Sequence, residues 1–343
     1  MKTYELSAPK GLDALSCQDR PDAPIGARDV RVEMKAWSLN FRDLNVPRGG
    51  YPGNDKIVRN PPLVPLSDGS GEVVEIGSDV EEFSVGDKVT SSFFRDWESG
   101  AAEASQLSSA LGGGLDGTLA ERVVLPDRGW VKAPSHLTYE EASTLPCAAL
   151  TAWQSLTAAN LIPGQSVLAQ GTGGVSIFTL QLAKAAGARV IITSSSNKKL
   201  EKARSLGADV TINYREQPDW EKEVLAATNG VGVDQVVEVG GSGTLEKSIA
   251  SVRVGGVVSL VGILSGPEGG FSSIGAILNA VTLRGIFVGS KEMFKLMNAS
   301  IEVSKLRPAI DQVFGFDSLE EVKAAYDHLR SAKHFGKVVI SRV

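Results

Sequence analysis

The chain has 343 residues, 42% of them hydrophobic, two cysteines and a formal net charge of −5. That length holds two domains of ordinary size, each with its own core, and the composition excludes a disordered chain. The acidic balance and the scattered lysines and arginines argue against a nucleic-acid partner, and Cys17 with Cys147 cannot build a disulfide framework.

The apolar stretch 257–264 is shorter than the roughly 20 residues that cross a bilayer. The N-terminus runs straight into strand-like sequence without a signal-peptide core. No membrane partner is expected, and the protein is expected in the cytoplasm.

In chain order, Val30, Val32, Met34 and Ala36 alternate with polar residues and predict a half-buried strand. Short strands follow at 72–76, 87–90 and 121–125, between turns such as Gly77-Ser78 and Gly86-Asp87. Residues 91–117, rich in Ser, Gly and Ala, read as a long loop, of the kind that is usually functional or mobile. Thr138-Tyr-Glu-Glu141 is a capping-box signal, heading a helix to about Ala159 that Pro163-Gly164 closes off.

Val167-Leu-Ala-Gln-Gly-Thr-Gly-Gly-Val-Ser176 is the most informative run: an apolar strand enters a glycine turn that opens a helix. Gly171 allows the tight turn, and Gly173 lets backbone approach a pyrophosphate. Thr172 lies between them, and the helix that starts near Gly174 and Val175 points its N–H groups and dipole at that anion. Ser176 stands at the third fingerprint position, where glycine is usual. Val175, Phe178, Leu182 and Ala185 space a sheet-packed helix, Gly187 ends it, and Arg189–Thr193 is the next parallel strand.

Helix 198–206, strand 210–212, helix 218–228, strand 234–238, a helix from Thr244, strand 257–261 and strand 282–288 complete six strands. Their alternation with helices predicts an α/β fold with a doubly wound parallel sheet. Helix 291–304, a capping box at Ser318-Leu-Glu-Glu321 heading a helix to about Ser331, and strand 337–341 are expected to return to the first domain. The division is a β-rich domain of 1–149 with 290–343, and a dinucleotide-binding domain of 150–289.

An NAD-preferring site places an acid about 20 residues past the glycine loop, at the end of the second strand. Here Ser194-Ser-Ser-Asn-Lys-Lys199 has no acid before Glu201. Hydroxyls at Ser194 and Ser195 with a lysine suit a 2′-phosphate, so NADP(H) is the expected cofactor. In the bland alternative, Ser195 or Ser196 only caps the next helix and Lys199 is solvated. Val261, Ile263, Val288 and Ser290 follow strands at the sheet's carboxyl edge and are expected near the nicotinamide.

Ser38-Leu-Asn-Phe-Arg-Asp43, the run Pro65–Gly77, Leu145-Pro-Cys-Ala-Ala-Leu-Thr-Ala-Trp153 and Leu206-Gly-Ala-Asp209 occur here in order. With these strings the chain resembles the medium-chain dehydrogenase/reductase superfamily over essentially its full length. Within it, the chain is similar to the zinc-independent quinone oxidoreductase and enoyl reductase branch, whose members are often labelled alcohol dehydrogenases. The resemblance implies a GroES-like β-rich catalytic domain beside the Rossmann domain, and places Lys199 and Tyr214 on the 2′-phosphate. It also implies a homodimer paired through the last Rossmann strand, Thr282–Val288.

The positions of zinc ligands in zinc-dependent members hold Asn40, Ser67 and Cys147 here, and a thiolate, a hydroxyl and an amide cannot hold tetrahedral zinc. No metal is expected, and Cys147 reads as a small packed residue. His136, His328 and His334 lie outside the matching strings and read as surface or capping residues.

The resemblance lines the substrate wall with Asn40, Arg42, Asp43, Ser67 and Asp68, of which Asn40, Arg42 and Asp68 are the catalytic candidates. Arg42 falls where zinc enzymes carry the hydroxyl of their proton relay, and either supplies positive charge to an acceptor or only pairs with Asp68 or Asp43. Phe93, Phe94, Trp97 and Tyr51 are either pocket walls or loop packing. The implied function is NADPH-dependent hydride transfer to a quinone or an α,β-unsaturated carbonyl compound. The alternatives are a metal-free alcohol dehydrogenase and a non-catalytic NADPH-binding protein.

Overall fold

Alternation through Asp29–Ser38 puts Val30, Val32, Met34 and Ala36 on one fully buried face, and this ten-residue strand is the centre of the first sheet. The structure, a computed structural model, describes residues 1–50, 62–264, 266 and 269–342, so Tyr51 lies outside the described residues. The chain divides into two compact units, Met1–Leu150 with Val288–Val343, and Thr151–Phe287.

In the first unit, β1 (Lys2–Leu6) and β2 (Leu15–Asp19) form an antiparallel pair. The central strand is β3 (Asp29–Ser38), followed by β4 (Asp68–Ile76), β5 (Lys88–Ser91), β6 (Arg122–Pro126) and β7 (Trp130–Lys132). β3 pairs antiparallel with β4, and the register brings Asp68 opposite Ser38. Between β5 and β6 runs the long connection foreseen from the sequence, with the short α1 (Ala104–Leu107) inside it. Its aromatics Phe93, Phe94 and Trp97 are buried and pack on one another.

The expected helix 138–159 is three pieces. Thr138 and Glu141 form the capping box at the head of α2 (Tyr139–Ser143). A π turn then spans Leu145–Ala149, and α3 (Leu150–Ala158) follows. Pro146 explains the break, because its ring has no N–H to give and crowds the preceding turn.

The second unit is the parallel sheet. Its strands are β8 (Ser166–Ala169), β9 (Arg189–Ser194), β10 (Val210–Asn213), β11 (Val233–Glu238), β12 (Val252–Leu260) and β13 (Thr282–Gly285). Their order is β10-β9-β8-β11-β12-β13, all neighbours parallel. Val167, Leu168, Ala169, Val190, Ile191, Ile192, Val236 and Val237 are almost wholly buried, as strands covered on both faces must be. The helices are α4 (Gly174–Ala185), α5 (Asn197–Ser205), α6 (Trp220–Ala227), α7 (Leu245–Ser251) and α8 (Ile274–Leu278). The topological switch falls between β8 and β11, where such sheets bind ligands.

The sixth strand ends at Gly285 instead of Val288, and Val288 takes a left-handed φ of 55°, which a β-branched residue rarely adopts and which no strand accommodates. The chain then returns to the first unit through α9 (Lys291–Ser304), β14 (Ile310–Gly315), α10 (Leu319–Arg330) and β15 (Lys337–Ser341). β15 pairs antiparallel with β3, and β14, which the sequence did not suggest, pairs parallel with β15. At the head of α10 only half of the expected second capping box forms: Ser318 accepts from Glu321 N, while the Glu321 carboxylate accepts from Gly315 N. Among the described residues no helix is long and apolar enough to cross a membrane.

Candidate functional site

The glycine turn forms as its residues require. Gly171 has a φ of 74°, a left-handed backbone that a side chain would strain. Gly173 is the N-cap of α4 and brings no side-chain acceptor, which leaves this twelve-residue helix end suited to an external anion. Ser176, the departure from the glycine fingerprint, is buried and its hydroxyl donates to Gln170 O, so it closes the turn from inside.

The turn is tied to the end of β9. Gly171 N donates to Thr193 Oγ1 at 3.1 Å, and Thr172 Oγ1 lies 3.4 Å from Ser194 Oγ. Tyr214 N donates to Ser194 O at 3.0 Å. Ser195 and Lys199 are half-buried, Lys199 in the first turn of α5, and Tyr214 is 41% exposed. Ser196 is the N-cap of α5 but makes no side-chain cap bond, and its own N–H donates to Ser194 Oγ at 3.4 Å. The nearby carboxylate of Glu216 is engaged by the amides of Asn197 at 2.7 Å and Asn213 at 3.0 Å. Gly171 to Val175, Ser194, Ser195, Lys199 and Tyr214 thus lie along one edge of the second unit. Those side chains and that helix end fit a dinucleotide.

Val261 follows β12, where its N–H donates to Glu238 O at 2.9 Å, and Ile263 is half-buried two residues on. Glu238, which the sequence reading passed over, is buried at the switch point and carries five donors. Gly240 N, Gly241 N and Thr244 Oγ1 bind one oxygen at 2.7, 3.0 and 2.6 Å; Gln170 Nε2, at 2.8 Å, and the Ser248 hydroxyl bind the other. Val288 and Ser290 belong to the first unit, where Ser290 caps α9 by accepting from Met293 N at 3.2 Å.

The first unit holds a buried polar cluster. Asn40 precedes a 3₁₀ turn over Phe41–Leu44, and Asn40 N donates to Asp43 Oδ2 at 2.7 Å. Asp43 is 1% exposed, and burial pushes its carboxyl up to about 6 against the pull of the Arg42 charge. Arg42 Nε lies 3.6 Å from Asp43 Oδ1, its guanidinium carbon sits 4.4 Å from the centre of the Phe93 ring, and Nη2 donates to Leu111 O. Asp43 and the loop therefore hold Arg42; Asp68 has other partners.

Asp68 accepts from Ser67 Oγ at 2.6 Å and Cys147 N at 3.2 Å, and Lys337 Nζ lies 3.9 Å away. The π turn at Pro146 is what presents that Cys147 N–H. Burial raises the Asp68 carboxyl above its ordinary value, opposed by the Lys337 charge and by Ser67 and Asn40. Leu66, just before this pair, has a φ of 66°, and a Cβ on Gly117 would lie 2.0 Å from Leu66 O. Glycine is therefore required where the long connection packs on the site. Lys337 Nζ donates to Leu39 O at 2.7 Å and Asn40 Oδ1 at 2.6 Å. Lys337 was not foreseen, because nothing local marks it across the 297 positions that separate it from Asn40.

His136 Nε2 meets Leu306 O at 3.0 Å, and His328 Nε2, in the last turn of α10, meets Asp311 Oδ2 at 2.9 Å. Neither joins the cluster.

Residues 174–302 match the family model described as zinc-binding dehydrogenase, and residues 26–135 match the alcohol dehydrogenase GroES-like domain. A zinc-type alcohol dehydrogenase-like protein of Schizosaccharomyces pombe is 46% identical over 91% of this chain and 90% of its own. An NADPH-dependent alkenal/one oxidoreductase of Arabidopsis thaliana, chloroplastic, is 29% identical over 99% of this chain and 79% of its own. The crystal structure of an NAD-dependent alcohol dehydrogenase superposes with a TM-score of 0.88 at 34% identity, covering 100% of both chains. The fold is that of the medium-chain dehydrogenase/reductases, with a GroES-like and a Rossmann unit. The chain belongs to that superfamily and is an oxidoreductase of its nicotinamide-dinucleotide-dependent type.

The zinc that the first family description implies does not fit the side chains here. Asn40 Oδ1 is taken by the Lys337 ammonium, and Ser67 donates its proton to Asp68. Cys147 is the one sulfur at these three positions, and one sulfur with an amide and a hydroxyl is not a tetrahedral zinc set. Among the described residues no group of three or more His, Cys, Asp or Glu side chains could hold a metal.

Proposed function

We propose that the chain is an NADPH-dependent reductase of quinones or α,β-unsaturated carbonyl compounds that works without zinc. The observation that carries this reading is the donor set of the first unit: the Asn40 amide is held by the Lys337 ammonium, and the Ser67 hydroxyl and the Cys147 N–H are held by Asp68. Oxidising an alcohol requires its hydroxyl proton to be removed, and carboxylates such as Asp43, at about 6, are far weaker bases than an alkoxide. Reducing an activated carbonyl compound requires less of the protein.

When bound, the dinucleotide supplies hydride. As the new C–H bond forms, a π pair of the acceptor moves onto its oxygen, and the proton that completes the product comes from water. The protein's part is to place a hydrogen-bond donor at that oxygen, and the Asn40 amide is the donor this cluster offers. On the cofactor, Ser194, Ser195, Lys199 and Tyr214 supply hydroxyls and positive charge toward a 2′-phosphate, and the name of the Arabidopsis relative points the same way.

Turnover of a panel of quinones, enones, enals and alcohols with each nicotinamide cofactor tests the reading. Reduction of the first three with NADPH, unaffected by a chelator, is the expected result. Alcohol oxidation alone, or one zinc per chain in protein purified without added metal, overturns it; no turnover with tight NADPH binding leaves the non-catalytic alternative.

A further inference from the structure

The register between β15 and β3 pairs Val339 with Ser38, and its continuation sets Lys337 opposite Asn40. Lys337 is 3% exposed, with Nζ 2.7 Å from Leu39 O, 2.6 Å from Asn40 Oδ1 and 3.9 Å from Asp68 Oδ2. An ammonium has three donors and no acceptor, so the prong of Asn40 that it binds must be the carbonyl oxygen. That bond settles which way the amide is turned. The NH₂ prong is buried and makes no hydrogen bond of ordinary geometry; its one polar neighbour among the groups around it is Asp68, whose charged form it favours. Buried donors in native proteins are nearly always paired, and the exceptions are often reserved for a ligand or a reaction.

We propose that Lys337 is a positioning residue for the reaction: it holds the Asn40 amide by its oxygen and so keeps the NH₂ group as the donor for the acceptor's oxygen. This rests on the reading of Asn40 given above. Were Lys337 absent, the amide would be free to turn and present its carbonyl to a developing negative charge, which would oppose the reaction instead of aiding it.

Three substitutions separate this from a structural role. Lys337→Met removes the donor and keeps the length, Lys337→Arg keeps a charged donor, and Asn40→Asp keeps the shape and removes the amide donor. Lys337→Met and Asn40→Asp should each lower kcat about tenfold or more while NADPH affinity stays within about twofold. Lys337→Arg should recover most of the loss, and the double variant Lys337→Met with Asn40→Asp should be no slower than the slower single one, because both act through one bond. A folded Lys337→Met variant with native turnover overturns the proposal, as does a double variant whose loss is the product of the single losses. If Lys337→Met does not fold, Lys337→Gln takes its place with the same outcomes.

A second readout requires no substrate. In protein labelled with ¹⁵N-asparagine, the amide pair that disappears in Asn40→Asp should shift in Lys337→Met and stay near its native position in Lys337→Arg. An unmoved pair in Lys337→Met overturns the proposal whichever substrate the chain accepts. A shifted pair in a chain that oxidises only alcohols sinks the substrate reading and leaves the lysine–asparagine bond standing.

Discussion

NADPH differs from NADH by one phosphate, and in the proposed reading Lys199 receives it. The lysine lies in the first turn of α5, beside the β9 end where Ser194 meets Tyr214 N. A charged hydrogen bond to the 2′-phosphate contributes on the order of 1–3 kcal/mol. Lys199→Ala should weaken NADPH by that amount in a fluorescence titration and leave NADH nearly unchanged; equal losses for both cofactors would contradict the assignment. Asp43 gives a pH signature at the same scale. Burial raises it from the ordinary 3.8 to about 6, with Arg42, Asp68 and Lys337 as the charges around it. Between those values the folded chain holds a proton that the unfolded chain has lost, so stability falls as pH rises through that window, by up to about 3 kcal/mol. Asp43→Asn keeps an oxygen for Asn40 N–H and should flatten the slope in denaturant unfolding measured from about pH 4 to 7. An unchanged slope would show that the titration lies elsewhere.

Among the elements, the glycine turn was legible because each of its requirements is local. A strand, a left-handed residue and a helix start lie within ten consecutive positions, and all three are present in the structure. Gly171→Ala should lower the stability of the chain by about 1–2 kcal/mol, the cost of a left-handed backbone with a side chain. An added Cβ there would meet no atom nearer than Ser176 Oγ at 4.0 Å, so the cost is conformational and not a clash. The variant should weaken NADPH and NADH alike, in contrast to Lys199→Ala. The capping box at Thr138 and the N-cap at Ser318 were readable for the same reason, since cap and partner are three residues apart. What escaped the sequence depends on distant partners or on one residue's exception. β14 is a strand because β15 pairs with it, and Ile310-Asp-Gln-Val-Phe-Gly315 has no clean alternation of its own. The π turn at Pro146 hides inside an otherwise helical pattern, and only the structure shows that it frees Cys147 N for Asp68. Glu238 reads as an ordinary strand end until Gln170, Thr244 and Ser248 are brought round it.

For the whole molecule, the open question is what covers the free edge of the six-stranded sheet. Among the described residues β13 pairs with β12 alone. Just before it, Ala276 of α8 packs on the core, while Ile274, Ile277 and Leu278 are 64%, 70% and 77% exposed. An unpaired edge strand beside three outward aliphatic side chains is an association hazard unless something sits on it. We propose that a second copy does, pairing β13 with its counterpart in a homodimer. A two-fold arrangement satisfies both copies with one self-complementary surface and leaves no edge free for further growth. Light scattering at working concentration should give twice the chain mass. Ile277→Glu together with Leu278→Glu, which puts like charges opposite one another across such an axis, should give the single mass while NADPH binding persists. A native chain that is monomeric under those conditions would refute the pairing, and a doubly substituted chain that stays dimeric would move the interface to another surface.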